Sequence, residues 1–443
     1  MDSRKSIFKN LAIDIPTTSE PRIVIIGGGF GGIQLAKKIV KHPFQVVLID
    51  RNNYHTFQPL LYQVATAGLE PDSIAGPLRP LMKNHKNFYF RMLRVTQINP
   101  EKKTISTIIG DLKYDILVIA NGAKTNFYNN RNIASQAFPL KQLPQALDLR
   151  SHILQNFEQA VMIQDLAEKE SLLNIVIVGG GPTGVELAGA LSELRKHVLP
   201  NDYHELDFRK MGIYLIEGHS RLLQSMSEAS GRNAYKYLSR FGVQIHLDTI
   251  VKDYSGEKVF LSSGEIIGSK TLIWAAGVEG NLIRGLPEEI IRNGRISVNR
   301  YNQVGDYNDM YAIGDVAFMQ LEDHPDGLPM LAPVAMQQGV HLAENLIRAS
   351  RQKSLIPFSF KNKGTMATVG RNKAVVDLPG NFQLGGLLAW MTWMFVHLVS
   401  LIGFRNKLVV FNNWLWNYIT YDRGTRLIIR LFIPDEKTRN NIH

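Results

Sequence analysis

The chain has 443 residues, 45% of them apolar, enough for two or three domains with sizeable cores. It has no cysteine, which excludes a catalytic disulfide, a persulfide and a cysteine-ligated metal. The formal charge of +11 suits an anionic surface, but no nucleic-acid-binding module or dense Lys/Arg tract accompanies it, so no nucleic-acid partner is expected.

Residues 1–21 form a polar lead-in without the apolar run of a signal peptide. The strand Ile23–Ile26 then enters the stretch IVIIGGGFGGIQLA, residues 23–36. The same pattern returns 152 residues later as IVIVGGGPTGVELA, with nine of fourteen positions identical. Each copy is a β-branched run, then G-x-G-x-x-G, then a helical segment, the context of a dinucleotide-binding turn. Gly27 and Gly179 allow the tight turn off the strand. Gly29 and Gly181 let a pyrophosphate approach the backbone, and Gly32 and Gly184 let the helix close on the sheet. Phe30, Gly31, Pro182 and Thr183 complete the two turns, whose helix N-termini offer unpaired N–H groups to phosphates. Two nucleotide-type ligands are therefore expected.

The strand Gln45–Ile49 ends at Asp50, 18 residues after Gly32, where a carboxylate can hold a ribose; a solvated loop acid is the alternative. Residues 52–81 form an aromatic, small-residue loop, suited to enclosing a flat ring or simply to burial. Residues 88–119 are expected to form a small antiparallel insert and then a buried parallel strand with the exit Ala120-Asn121-Gly122. A helical stretch follows at 140–170.

In the second copy the strand Gly212–Ile216 ends in Glu217, which favours a free 2′-hydroxyl and hence NADH; His219 and Arg221 nearby weaken that preference. The strand 271–278 closes this unit through Ala276-Gly277. A short strand then reaches Gly314-Asp315, and a helix starts close to Pro333, a plausible edge for a flavin. Near the C-terminus, 384–404 is almost wholly apolar, and 408–421 interleaves Trp414, Trp416, Tyr418 and Tyr421 with asparagines. Arg405, Lys407, Arg423, Arg426 and Arg430 flank these segments. That composition predicts helices lying in a lipid interface; a buried dimer hairpin and a spanning helix are the alternatives.

The stretches GGGFGG, FQPLLYQVATAG, GGGPTGVELAGALSEL, IWAAGV, YAIGD, VAMQQG and LAWMTWMFVHLVSLIGFRNKL resemble the type II NADH:quinone oxidoreductases from about Arg22 to about Arg430. The resemblance implies an α/β fold of two Rossmann-like dinucleotide-binding domains in a glutathione-reductase-like arrangement, with a C-terminal amphipathic helical membrane anchor. The FAD-binding domain would comprise 22–170 and 286–350, the NADH-binding domain 171–285, and the C-terminal region 351–443 with anchoring helices at about 384–433. It further implies FAD as cofactor and NADH as substrate. Hydride would pass to the flavin N5, and a membrane quinone would then take two electrons and two protons. The enzyme would be a homodimer on an anionic lipid surface, monotopic on the cytoplasmic face of the inner or plasma membrane.

Carried over by residue, Val95 falls at the adenine and Asp315 at the ribitol, with Ala120, Asn121, Gly122 and Gly314 beside the flavin. The quinone motif A-Q-x-A-x-Q maps to 332–337 with Pro333 in place of its first Gln, leaving Ala335, Gln337 and the following Gln338 as contacts. Glu186 would relay protons or serve as a helix-dipole partner. Gln337 would meet a quinone carbonyl or satisfy backbone, and Lys363 would meet the flavin or lie on the surface. His397 has no second ligand at helical spacing, so no metal is expected. Two other readings remain: a soluble NADH:ferredoxin- or rubredoxin-type reductase, and a flavin-bound, membrane-attached redox sensor.

Overall fold

The computed structural model describes residues 11–401, 403–421, 424–429 and 431–432; residues 1–10, Arg423 and Arg430, named above, lie outside the described residues. Its framework begins with β1 (Arg22–Ile26), α1 (Phe30–Ile39), β2 (Gln45–Asp50), α2 (Leu61–Ala65), β3 (Phe88–Met92), β4 (Ile116–Ile119), β5 (Phe138–Pro139) and α3 (Leu143–Met162). It continues with β6 (Ile175–Val178), α4 (Pro182–His197), β7 (Ile213–Ile216), α5 (Glu228–Arg240), β8 (Gln244–His246), β9 (Thr271–Trp274), β10 (Met310–Ala312) and α6 (Ala332–Ser350). The C-terminal part holds β11 (Thr365–Gly370), β12 (Lys373–Leu378), β13 (Phe382–Gly385), α7 (Gly386–Ser400) and α8 (Phe404–Thr420). Two compact units divide the chain: 1–55, 77–124 and 278–362 form the first; 56–76, 125–277 and 363–443 form the second.

The first unit is built on a parallel sheet of order β10-β4-β1-β2-β3. The glycine strand β1 sits centrally because Ile23, Val24 and Ile25 are fully buried. A strand covered on both faces reads as a continuous apolar run. Strand order, not strand direction, reverses between β1 and β4, the topological position at which open parallel sheets bind ligands beyond the carboxyl ends of their strands. α1 and α6 cross where Gly31 and Gly339 meet: a Cβ on Gly339 would stand 2.3 Å from the Gly31 carbonyl oxygen. Phe88–Met92 departs from the expected antiparallel insert. It pairs in parallel with β2, and only 95–113 is antiparallel. As an outer strand it is half exposed, so its sequence alternates like a strand with one wet face.

The second unit repeats the scheme in a parallel sheet of order β5-β9-β6-β7-β8. The glycine strand β6 again lies between the acid-tipped strand, β7, and the strand with the small-residue exit, β9. α4 packs on the antiparallel ribbon β11-β12-β13, closely enough that a Cβ on Gly189 would stand 1.9 Å from the Val369 carbonyl oxygen. Asp377 of β12 receives Ser227 N–H at 2.6 Å and the hydroxyls of Ser227 and Ser230 at 2.9 and 2.7 Å, fixing the start of α5.

The apolar run 384–404 is not one helix. Leu384 and Gly385 end a strand, Gly386 turns with φ +66°, and α7 stops at Ser400 ahead of Gly403 with φ +87°. Among the described residues no helix is long and apolar enough to cross a membrane. α7 and α8 bury Ala389, Trp393, Val410 and Trp414 and expose Leu388, Phe395, Trp416 and Ile419.

Candidate functional site

In the first unit the turn after β1 has the form that phosphates require. Gly27 takes φ +109°, and a Cβ there would lie 2.3 Å from the Ala120 carbonyl oxygen. A Cβ on Gly32 would lie 2.0 Å from the Gly27 carbonyl oxygen. Apart from its chain neighbours, a Cβ on Gly29 would have among the described residues only the Ala120 carbonyl oxygen within 4 Å, at 3.9 Å, so the backbone at the start of α1 is approachable. Asp50 tips β2, and its two oxygens accept the N–H of Gly28 at 2.6 Å and of Asn52 at 2.7 Å. Burial raises its pKa, while these two backbone N–H groups pull it down. Phe30 meets His55 edge-on at 4.9 Å. His55 faces the Gly28 carbonyl through Nδ1 at 3.1 Å, and burial pushes its imidazole down to about 4. Asn121 hydrogen-bonds the Asn281 carbonyl, and Asn281 N–H returns to Gly122 at 3.0 Å, bracing the exit of β4. Val95 is half-buried at the head of the antiparallel piece.

Gly314 turns with φ +74° and its N–H donates to Gln338 Oε1 at 2.7 Å. Gln338 is thus a buried brace for the Gly314-Asp315 turn. Arg295, which the sequence did not single out, completes that brace. Its Nε donates to the Asp315 carbonyl at 3.1 Å and Nη1 to Leu328 at 3.0 Å, and it also bonds Ala317 and lies over Phe318. Ala335 sits against Gly31 and Gly314, and Pro333 occupies the first turn of α6. Gln337 pairs with a single backbone unit: Nε2 donates to the Lys361 carbonyl and Oε1 accepts its N–H, both at 3.0 Å.

In the second unit a Cβ on Gly184 would stand 1.9 Å from the Gly179 carbonyl oxygen, and one on Gly181 would have, among the described residues beyond its chain neighbours, no atom within 4 Å. Pro182 and Thr183 are exposed at the mouth of this turn. Gly277 takes φ +81° beside the Tyr128 hydroxyl, and Ala276 packs on the core under β9. Glu217 Oε2 accepts the Gly180 N–H at 2.5 Å, the counterpart of the Asp50 contact. Lys363 is exposed.

Glu186 lies in the second turn of α4 and is only 7% exposed. Its Oε1 accepts the Thr368 N–H at 3.3 Å. Burial pushes its carboxyl up to about 8 against the pull of Thr368 and the Trp393 indole, so it carries a proton at neutral pH. The indole N–H lies toward this carboxyl without closing a hydrogen bond of normal length. Glu186 lines a cavity of about 120 Å³ with Tyr62, Gln63, Trp393, Trp414 and Tyr418. Trp393 stacks on His397 at 4.1 Å, and burial pushes that imidazole down to about 4. Glu186 and His397 are therefore both uncharged at pH 7, while Glu193 and Arg371 also line the cavity. Trp393 and Trp414 read in the sequence only as interfacial aromatics; no local signal ties them to Glu186, some 200 residues earlier in the chain.

The sequence family described as pyridine nucleotide-disulphide oxidoreductase matches residues 21–339, and the one described as the NDH2 C-terminal domain matches 362–421. A Mycobacterium tuberculosis protein named type II NADH:quinone oxidoreductase Ndh is 34% identical over 428 residues, 92% of this chain and 91% of that protein. The chain belongs to the type II NADH:quinone oxidoreductases. Another relative, an internal alternative NAD(P)H-ubiquinone oxidoreductase A1 of Arabidopsis thaliana mitochondria, is 29% identical and covers 90% of this chain and 84% of its own. The structure of NDH2 from Plasmodium falciparum in complex with NADH has the same fold, with TM-score 0.84 and 22% identity over 93% of this chain and 100% of that one. This type II enzyme has no cysteine, so the disulphide in the broader family's description has no counterpart here.

Proposed function

We propose that this chain oxidises NADH and reduces a membrane quinone, with FAD held at the first glycine turn and NADH at the second. Both turns support this reading: each leaves its backbone open where a pyrophosphate would lie and ends its neighbouring strand in a carboxylate suited to a ribose. Gly27, Gly29, Gly32, Asp50 and the Gly314-Asp315 turn would hold the FAD. Flavin, when bound, supplies the two-electron chemistry that links a nicotinamide hydride to a quinone. Each sheet's strand order suits a Rossmann-like domain.

The observation that carries the acceptor assignment is the buried Glu186 carboxyl on an aromatic cavity wall. Quinone reduction consumes two protons, and a carboxyl with a pKa of about 8 can donate one at neutral pH and be recharged from solvent. Tyr62, Trp393 and Trp414 offer flat apolar surface to a quinone ring. Gln337 spends both amide atoms on Lys361, so its part is to hold the 361 segment. The exposed apolar residues of α7 and α8, with Arg405 and Lys407 beside them, suit peripheral docking on anionic lipid.

Steady-state turnover of the purified protein tests the reading. Oxidised protein should show flavin absorbance that NADH bleaches, and a short-chain quinone should restore it. A colourless protein that added flavin does not reconstitute, or NADH oxidation only with a protein acceptor, would overturn it.

A further inference from the structure

We propose that His219 sets how strictly the second nucleotide site excludes a 2′-phosphate, and that it makes this selectivity depend on pH. The inference rests on the reading of that turn as the NADH site.

The two glycine turns supply an internal comparison. In the first, Asp50 receives backbone N–H groups from Gly28 and from the residue two positions on, Asn52, at 2.6 and 2.7 Å. In the second, Glu217 receives Gly180 N–H at 2.5 Å and, again two positions on, His219 N–H at 2.9 Å. The backbone scheme is the same, but the residue two positions on is now an imidazole. Its Nδ1 lies 2.6 Å from Glu217 Oε1, the oxygen that already accepts the His219 N–H. With its proton on Nδ1 the ring donates to that oxygen and fills its second lone pair.

A ribose whose 2′- and 3′-hydroxyls both donate to Glu217 needs that lone pair. The neutral ring must therefore swing aside for NADH. Its side chain is 65% exposed whereas that of Glu217 is 12% exposed, so the imidazole is the partner free to move. A 2′-phosphate faces the opposite situation. Glu217 alone repels it, but an imidazolium at this position offsets the carboxylate and offers a charged donor.

The surrounding groups do not duplicate this role. Arg221 turns its guanidinium to the carbonyls of Met226 and Gln224, at 2.9 Å each. His246 lies at the end of β8 with its ring 3.6 Å from Glu265. Asp248 donates its backbone N–H to the His219 carbonyl at 3.1 Å and adds a negative charge to the same loop. A protonated ring at this position thus weakens the exclusion of a 2′-phosphate that the neutral ring leaves in place.

The test uses the holoenzyme and two probes, ADP-ribose and 2′-phospho-ADP-ribose, titrated by calorimetry at pH 6 and 8. NADH and NADPH turnover with a short-chain quinone is followed in parallel. In the wild type the preference for the unphosphorylated probe should fall at least fivefold from pH 8 to 6. The phosphate itself titrates near 6 and contributes to that fall. His219→Asn, which copies Asn52 of the first turn, removes the rest: its fall should be at least threefold smaller. Equal falls in both proteins overturn the inference while leaving the NADH:quinone reading standing. Absence of wild-type NADH turnover with any quinone overturns the reading beneath it.

Discussion

Replacing Glu186 by Gln separates the proton from the shape of the side chain. The carboxyl ordinarily ionises at 4.5, and in the fold burial moves this to about 8. The unfolded chain thus gives up the proton above pH 4.5, while the folded chain keeps it until about 8. Between those values the folded state binds the extra proton, so stability falls as pH rises, then levels off. At about 1.4 kcal/mol per pH unit, the buried carboxyl costs the fold about 3 kcal/mol at pH 7 and about 5 kcal/mol above pH 8. Gln keeps the acceptor for the Thr368 N–H and has nothing to titrate. Urea unfolding of both proteins at pH 5 and pH 7 should show the Gln variant gaining about 3 kcal/mol on the wild type between the two. The variant should still be reduced by NADH but return electrons to quinone more slowly, and its quinone step should lose any inflection near pH 8. A stability difference that stays within about 0.5 kcal/mol across that range would refute the buried, protonated state.

The glycine turns separate the two ligands. Gly32→Ala should abolish flavin absorbance, because its Cβ would meet the Gly27 carbonyl at 2.0 Å. Gly184→Ala, with its Cβ 1.9 Å from the Gly179 carbonyl, should keep the flavin but raise the KM for NADH about tenfold or more, read by stopped-flow reduction. On the C-terminal helices, Leu388, Phe395 and Ile419 are 65%, 68% and 70% exposed. Their joint replacement by Glu removes apolar side chains worth about 1.5–3 kcal/mol each when buried in lipid, and should reduce flotation with anionic liposomes more than tenfold. Unchanged flotation would rule out this face as the lipid contact.

What could be read from the sequence was local. The β-branched runs at 23–26 and 175–178 and the glycines after them predict their own conformation, because strand, turn and helix start lie within fourteen residues. Asp50 and Glu217 were legible as strand-end acids for the same reason. Phe88–Met92 misled because an outer strand of a parallel sheet has one wet edge and alternates like a hairpin strand. In the run 384–404 hydropathy does not register the turns at Gly386 and Gly403, which bound the helix within it. Contacts made across the chain had no local signature. The Asp377 bonds to Ser227 and Ser230 join residues about 150 apart. Glu186 meets Thr368 across 182 residues, and Gln63 accepts from the Trp414 indole at 2.8 Å across 351.

The seam between Gly189 and Val369 has a consequence for how such an enzyme can diversify. No side chain larger than hydrogen fits there, so the rod carrying Glu186 is riveted to its ribbon and cannot be shimmed outward to make room for a bulkier electron acceptor. Widening then falls to the other walls, Tyr62 and Gln63 on α2 and the tryptophans and tyrosine of α7 and α8. If the proposed lipid contact of α7 and α8 holds, acceptor range and membrane grip share these two segments, and drift in one trait drags the other along.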